Sequence, residues 1–282
     1  MTDIFDFEPR IDDYAVMGNP IKHSKSPQIH SLFARQTNQS INYIAIQVDT
    51  GGFKQAVGNF VAHNGKGLNI TVPFKEEAWA LVEDRSERAE RAGAINTIKI
   101  EDGNLYGDNT DGVGLVNDLK NNHNISIQDK RVLLMGAGGA SRGVLAPLLS
   151  ECPAEIVIVN RTVSKATALA EHFQDMGNIS GCGYDDLADK KFDIIINATA
   201  ASLHGELPPL PDKLVVKSGC CYDMMYGQQT PFMQWAVEQG VGVVTDGLGM
   251  LVEQAAESFY IWRGVRPETQ PVLHTLRKEL TA

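Results

Sequence analysis

The stretch RVLLMGAGGASRG, residues 131–143, does most to limit what this chain can fold into. A short unbroken apolar run that empties into a glycine turn and then a helical segment is a strand buried on both faces. A half-exposed strand would alternate instead. EIVIVNRT, FDIIINAT, KLVVKSGCCYDM and GVGVVTDG follow with the same character. Helical segments between such strands predict an α/β fold with a parallel sheet covered on both sides.

The N-terminal part repeats the alternation less cleanly. Strand candidates at Tyr14–Gly18, Asn42–Val48 and Leu68–Val72 are separated by segments of helical spacing, predicting a parallel or mixed sheet. The chain has 282 residues, more than one compact domain usually holds, so two domains are expected. Residues 1–13 read as a loose acidic extension. TDGVGLVNDLKNN places Val113, Val116 and Leu119 at helical intervals. Leu248, Leu251, Val252, Ala255, Phe259 and Trp262 mark an amphipathic helix near the end. GELPPLPDK contains P-x-x-P and reads as a connecting loop.

Charge narrows the partners. A formal net charge of -10 argues against nucleic acid or an anionic membrane, which would want a basic face, so an anionic ligand must be held by a few placed cations. Cys152, Cys182, Cys220 and Cys221 form no C-x-x-C pair, and the histidines show no H-E-x-x-H spacing. The start, MTDIFDFEPR, lacks the basic and apolar regions of a signal peptide, and no apolar run approaches the ~20 residues of a membrane span. These features predict a reduced, cytoplasmic protein without metal.

The glycine turn Gly136-Ala137-Gly138-Gly139-Ala140-Ser141 admits two readings. Between a strand and a helix, glycines let the backbone approach a pyrophosphate that faces the helix N-terminus. The same residues spell G-x-S-x-G over Gly139–Gly143, a hydrolase nucleophile elbow with Ser141 as nucleophile. Asp193 with His204, or Asp246 with His274, would then complete the triad. The next strand favours the first reading. It ends in Asn160-Arg161-Thr162 with Lys165 one turn on, where an NAD enzyme carries an acid. An arginine there can grip a 2′-phosphate with its bidentate fork, which points to NADP.

NITVPFKEEA, residues 69–78, raises a separate question. Pro73 suits a first helical position and Glu76 and Glu77 suit the positive end of the helix dipole, but Lys75 opposes it. NPIKHSKSPQIH offers the hydroxyls of Ser24 and Ser26 beside a helix start. This is either a cradle for a carboxylate or a cap followed by Pro27. Asp111 in GDNTDG either caps the next helix or serves a ligand; its spacing is not that of a calcium loop.

Together GLNITVPFKEEA, GAINT, GDNTDGVG, GAGGASRG, NRTVSKA, YDMMY and DGLGMLVEQA, in this order, resemble the shikimate/quinate dehydrogenase family over nearly the whole chain. The resemblance implies a substrate-binding domain over 1–111 completed by 247–282, a Rossmann-like NADP-binding domain over 112–246, and a cleft between them. It implies that Ser24 and Ser26 bind the substrate carboxylate. Thr71, Asn96, Asp111 and Gln254 would hold the ring hydroxyls, with Asn69 and Tyr226 nearby. Lys75 matches the catalytic lysine. Gly136, Ala137, Gly138, Gly139 and Ala140 match the pyrophosphate loop; Asn160, Arg161, Thr162 and Lys165 match the adenosine-phosphate segment; Met224 and Gly247 match the nicotinamide side. Two departures stand out: Lys165 where the family commonly has Arg, and AASLHG after NAT.

The implied reaction is reversible reduction of 3-dehydroshikimate to shikimate by NADPH, in aromatic amino acid biosynthesis, by a monomer or homodimer with no metal. Hydride addition to a ketone leaves charge on oxygen, so a proton donor there lowers the barrier. Lys75 is expected to be that acid and base, assisted by Asp111. Use of quinate, or of NAD as well as NADP, is the neighbouring alternative.

Overall fold

Four consecutive buried residues, Tyr14 to Met17, form the middle of β1 (Asp12–Gly18) in the computed structural model, which describes residues 11–201 and 205–281. Around β1 a six-stranded sheet is built from β2 (Ile41–Gln47), β3 (Gly67–Ile70), β4 (Asp84–Arg85), β5 (Thr97–Glu101) and β6 (Asn104–Asp108), in the order β2-β1-β3-β5-β6-β4. β1 pairs in parallel with β2 and β3, and β4 with β6, while β5 runs antiparallel to both its neighbours. Successive side chains of a strand face opposite ways. Ala15 and Met17 therefore join the core formed with Phe53, Leu68, Phe74 and Ile98, whereas Tyr14 and Val16 meet Tyr43 and Trp262 on the other face. Helices α1 (Ser26–Gln36), α2 (Phe53–Ala62), α3 (Lys75–Leu81) and α4 (Glu87–Ala92) connect these strands.

The second sheet follows from the apolar runs. β7 (Arg131–Met135), β8 (Glu155–Val159), β9 (Ile179–Cys182), β10 (Phe192–Asn197), β11 (Val215–Asp223) and β12 (Val243–Asp246) are all parallel, in the order β12-β11-β10-β7-β8-β9. Strand order reverses between β7 and β10, the place where doubly wound sheets bind ligands. Val132, Leu134, Ile156, Ile158, Ile194 and Ile196 face one core, and Leu133, Met135, Val157, Val159 and Ile195 the other. The helices are α5 (Asp111–Asn117), α6 (Gly139–Ser150), α7 (Val163–Phe173), α8 (Pro231–Glu238), α9 (Leu248–Arg263) and α10 (Gln270–Thr281). Among the described residues no helix is long and apolar enough to cross a membrane.

The chain divides into two units. The first comprises residues up to Glu90 with Ala94–Thr110 and Ala255–Val272; the second comprises Arg91–Gly93, Asp111–Gln254 and the residues from Leu273 onward. Helix α9 thus gives its first half to the second unit and the rest to the first.

Several boundaries differ from the sequence-based expectation. β1 starts at Asp12, so Asp12 and Asp13 belong to a strand; residues 1–10 of the expected extension lie outside the described residues. β3 ends at Ile70, and Pro73 stands in a turn closed by the Phe74 N–H donating to the Thr71 carbonyl at 3.0 Å. Helix α3 begins only at Lys75. Lys25, not Ser26, is the N-cap of α1, and Ser26 is its first helical residue. The segment after α5 widens into a π-turn at Asp118–Asn122.

Candidate active site

In the first unit Asn69 and Asn96, both singled out by sequence, are buried in an enclosed polar network. Asn69 ends its side chain among five partners. Its Oδ1 accepts from the Tyr43 hydroxyl at 2.7 Å and pairs with His30 Nε2 at 3.1 Å. Its amide nitrogen faces the Asn96 carbonyl, Thr97 Oγ1 and Ser258 Oγ at 3.2, 3.3 and 3.1 Å. Asn96 Oδ1 accepts from the Thr97 hydroxyl and the Thr110 N–H, both at 2.9 Å. Unpartnered buried polar groups cost about 1–3 kcal/mol each, so mutual bonding is what permits this many of them in a core.

Burial sets the electrostatics. His30 is fully enclosed and stacked on Tyr43, with ring centroids 4.3 Å apart, and desolvation pulls its pKa down to about 3. Burial pushes the Tyr43 phenol up, against a hydrogen bond from Ser26. That bond ties Ser26 into the network. Ser24 Oγ accepts the Ser26 N–H at 3.3 Å, so one seryl oxygen satisfies the first helical amide of α1.

Lys75 is half-buried at the first position of α3. Its carbonyl accepts the Ile95 N–H at 2.9 Å, and the Asn96 carbonyl accepts the Ile70 N–H at 2.8 Å. These two bonds clamp Asn69, Thr71, Lys75 and Asn96 onto adjoining segments. The far end of α3 is closed by Arg85, which donates to the Trp79 and Val82 carbonyls at 2.7 and 3.1 Å and lies over the Trp79 ring.

In the second unit, Gly136 adopts φ +103° where a Cβ would press on the Ala198 backbone, so the turn after β7 needs glycine. Gly138, Gly139 and Ala140 are exposed at the start of α6, with open space where a Cβ of either glycine would stand. Backbone amides in such a setting fit a pyrophosphate. Asn160 Nδ2 donates to the Thr162 carbonyl at 3.0 Å, shaping the turn into α7, and Arg161, Thr162 and Lys165 are exposed there. Met224 and Gly247 come together: a Cβ on Gly247 would lie 2.3 Å from the Met224 carbonyl oxygen. Asp111 is the first residue of α5, directly after Thr110. Three residues later Gly114 lies against the backbone of Gln254 and Met250, so α5 and α9 approach where Asp111 and Gln254 reside. Tyr226 is partly buried, which raises its phenol pKa.

The hydrolase reading fails on Ser141. Its hydroxyl is fully buried two residues inside α6 and donates to the Gly136 carbonyl at 2.8 Å, whereas an elbow nucleophile must be exposed. Asp193 receives the Arg131 N–H and side chain. Asp246 is held by a two-pronged Arg277 contact at 2.7 and 2.6 Å; burial works against its ionisation, but Arg277 prevails and keeps it below the usual range. His204 lies outside the described residues. Sequence reasoning missed His30, Tyr43, Thr97, Thr110 and Ser258, because their partners lie on distant segments and no spacing along the chain marks them.

Residues 16–98 match the shikimate dehydrogenase substrate-binding domain, 118–204 the shikimate/quinate 5-dehydrogenase family and 247–277 the shikimate 5′-dehydrogenase C-terminal domain. The NADP(+) shikimate dehydrogenase of Alkalilimnicola ehrlichii is 61% identical over 95% of this chain and 99% of its own. The chain belongs to the shikimate dehydrogenase family. Among solved relatives, an Ael1 enzyme from Pseudomonas putida is 47% identical with a TM-score of 0.89, covering 94% of this chain and 98% of its own. The shikimate dehydrogenase of Thermus thermophilus, solved with NADP(H) and shikimate, is 31% identical with a TM-score of 0.83, covering 95% and 99%. As a shikimate dehydrogenase the chain is an NADP-dependent oxidoreductase of the shikimate pathway, and the hydrolase alternative has no support.

Proposed function

We propose that the chain binds shikimate or 3-dehydroshikimate together with NADP(H), and that Lys75 and Asp111 are the catalytic pair. Ser24 and Ser26 receive the substrate carboxylate; Thr71, Asn96, Asp111 and Gln254 hold the ring hydroxyls, with Tyr226 close by. Gly136 to Ala140 cradle the pyrophosphate, Arg161 and Lys165 meet the 2′-phosphate with Asn160 and Thr162 shaping the turn, and Met224 and Gly247 lie on the nicotinamide side. When bound, the cofactor supplies or accepts the hydride. Lys75 Nζ gives a proton to the oxygen that gains charge during reduction, and takes one from the hydroxyl during oxidation. Asp111 accepts a hydrogen bond from a substrate hydroxyl and fixes its position. One observation carries this reading: Lys75, Thr71 and Asn96 stand on segments clamped by backbone bonds in one unit, next to a network that reaches Ser26. The same reading takes the chain as a cytoplasmic monomer or homodimer acting on a dissolved small molecule.

The test is a cofactor-reduction assay with shikimate and quinate, each run with NADP⁺ and NAD⁺. Shikimate with NADP⁺ is expected to give the highest kcat/KM by at least about tenfold over NAD⁺, the value of one lost charge-assisted phosphate contact. Equal rates with NAD⁺ would remove Arg161 from phosphate recognition, and faster turnover of quinate would reassign the substrate.

A further inference from the structure

Asn69 has no hydrogen-bonding capacity to spare. An amide oxygen has two acceptor sites, and here they meet Tyr43 at 2.7 Å and His30 at 3.1 Å. An amide nitrogen has two hydrogens, and here they face three acceptors, the Asn96 carbonyl, Thr97 Oγ1 and Ser258 Oγ. A substrate hydroxyl could bond to Asn69 only by displacing a buried partner, which costs about what the new bond returns. We infer that Asn69 is a positioning residue rather than a ligand, and that His30 and Tyr43 orient it so that Ser26 and Asn96 are held in register. This rests on the reading of Ser26 and Asn96 as substrate contacts.

The polarity of the network is determined by its members. Donors surround one end of the Asn69 amide and acceptors the other, so the amide has one favourable orientation. With the hydrogen on His30 Nδ1, the bare Nε2 would oppose the Asn69 oxygen, while Nδ1 has no partner to gain by it. His30 therefore donates from Nε2. Stacking on Tyr43 and contact with Trp262, whose centroid is 5.2 Å away, stop the ring from turning. On one side Tyr43 passes the constraint to Ser26 through their hydrogen bond. On the other, the Asn69 amide bonds the Asn96 carbonyl while Thr97, bonded to Asn69 and Ser258, donates to Asn96 Oδ1. The two proposed ends of the substrate site thus share one rigid support, and shape complementarity to a small ring needs their separation fixed.

Steady-state kinetics on the full chain test this. His30→Leu is expected to raise KM for shikimate about 5–20-fold while KM for NADP⁺ stays within about twofold, the signature of lost ground-state positioning of one ligand. His30→Gln, whose amide nitrogen can reproduce the Nε2 donor, should return KM to within about twofold of the parent. In an Asn69→Ala background His30→Leu should add nothing, because its effect travels through Asn69. Equal changes in both KM values, no rescue by Gln, or a fully additive double variant would each overturn the inference. Should His30→Leu fail to fold, Tyr43→Phe carries the same comparison, and its effect on the shikimate KM must vanish beside Asn69→Ala. Asn96→Ala separates the underlying reading: an unchanged shikimate KM there removes the proposed site and this inference with it. A raised KM for Asn96→Ala beside an unaffected His30→Leu removes the inference alone.

Discussion

Lys75 occupies the first helical position of α3, with Glu76 and Glu77 exposed beside it. A cation at the positive end of a helix is the wrong choice for stability, by a few tenths of a kcal/mol. Under the proposed function the residue works at the substrate, where a positioned amine at a developing alkoxide can lower a barrier by several kcal/mol. Replacing Lys75 with Met should lower kcat by about 10²–10⁴-fold, leave KM for shikimate nearly unchanged and raise stability slightly. Single-turnover hydride transfer with shikimate and NADP⁺ would check this; near-normal turnover would take Lys75 out of the chemistry. Ser141 teaches the reverse lesson. Its motif fits a hydrolase letter by letter, yet a hydroxyl bonded to the Gly136 carbonyl inside a helix cannot attack anything.

Helices are placed by small residues as much as by apolar stripes. At Gly114 a Cβ would come within 2.7 Å of the Gln254 Cβ and 2.8 Å of backbone atoms of Gln254 and Met250. Backbone cannot rotate away as a side chain can, so Gly114→Ala should destabilise by about 1–3 kcal/mol and displace α5 from α9. Gly58, exposed in α2 with nothing near its would-be Cβ, is the contrasting case. There Gly58→Ala should stabilise by about 0.5–1 kcal/mol through helix propensity alone. Urea titration of the two variants checks both signs, and a neutral Gly114→Ala would mean that the helices part easily. Such contacts explain why two glycines close together in DGVG are compatible with a helix that composition alone would disfavour. The helix itself was legible from Val113, Val116 and Leu119; the reason for its glycines was not.

At the scale of the whole molecule, acid stability should report the buried histidine. An unfolded histidine titrates near 6.5, whereas His30 in the fold titrates at about 3. Between those values the unfolded chain binds a proton that the folded chain refuses. Stability is therefore complete above about pH 6.5 and falls as pH drops, at up to ~1.4 kcal/mol per pH unit from this group. Asp246, held low by Arg277, adds a loss of the same sign only below about pH 4. The urea midpoint measured from pH 7 to 4 should decline in the parent and decline less in His30→Gln, and parallel curves would show that His30 does not titrate on unfolding.

The sequence by itself determined the parallel sheet, since five apolar runs buried on both faces have few other solutions. It also determined the glycine turn before α6, the arginine that follows β8 and the order of family motifs. Those features are local: each is written within about a dozen neighbouring residues. Only the tertiary structure decided how Asn69 is used, because its five partners come from positions as distant as His30 and Ser258. It alone turned Ser141 inward, ended β3 two residues early and moved the start of α3 to Lys75. Hydrogen-bond saturation is a property of groups that meet across the fold, and neither periodicity nor spacing along the chain carries that information.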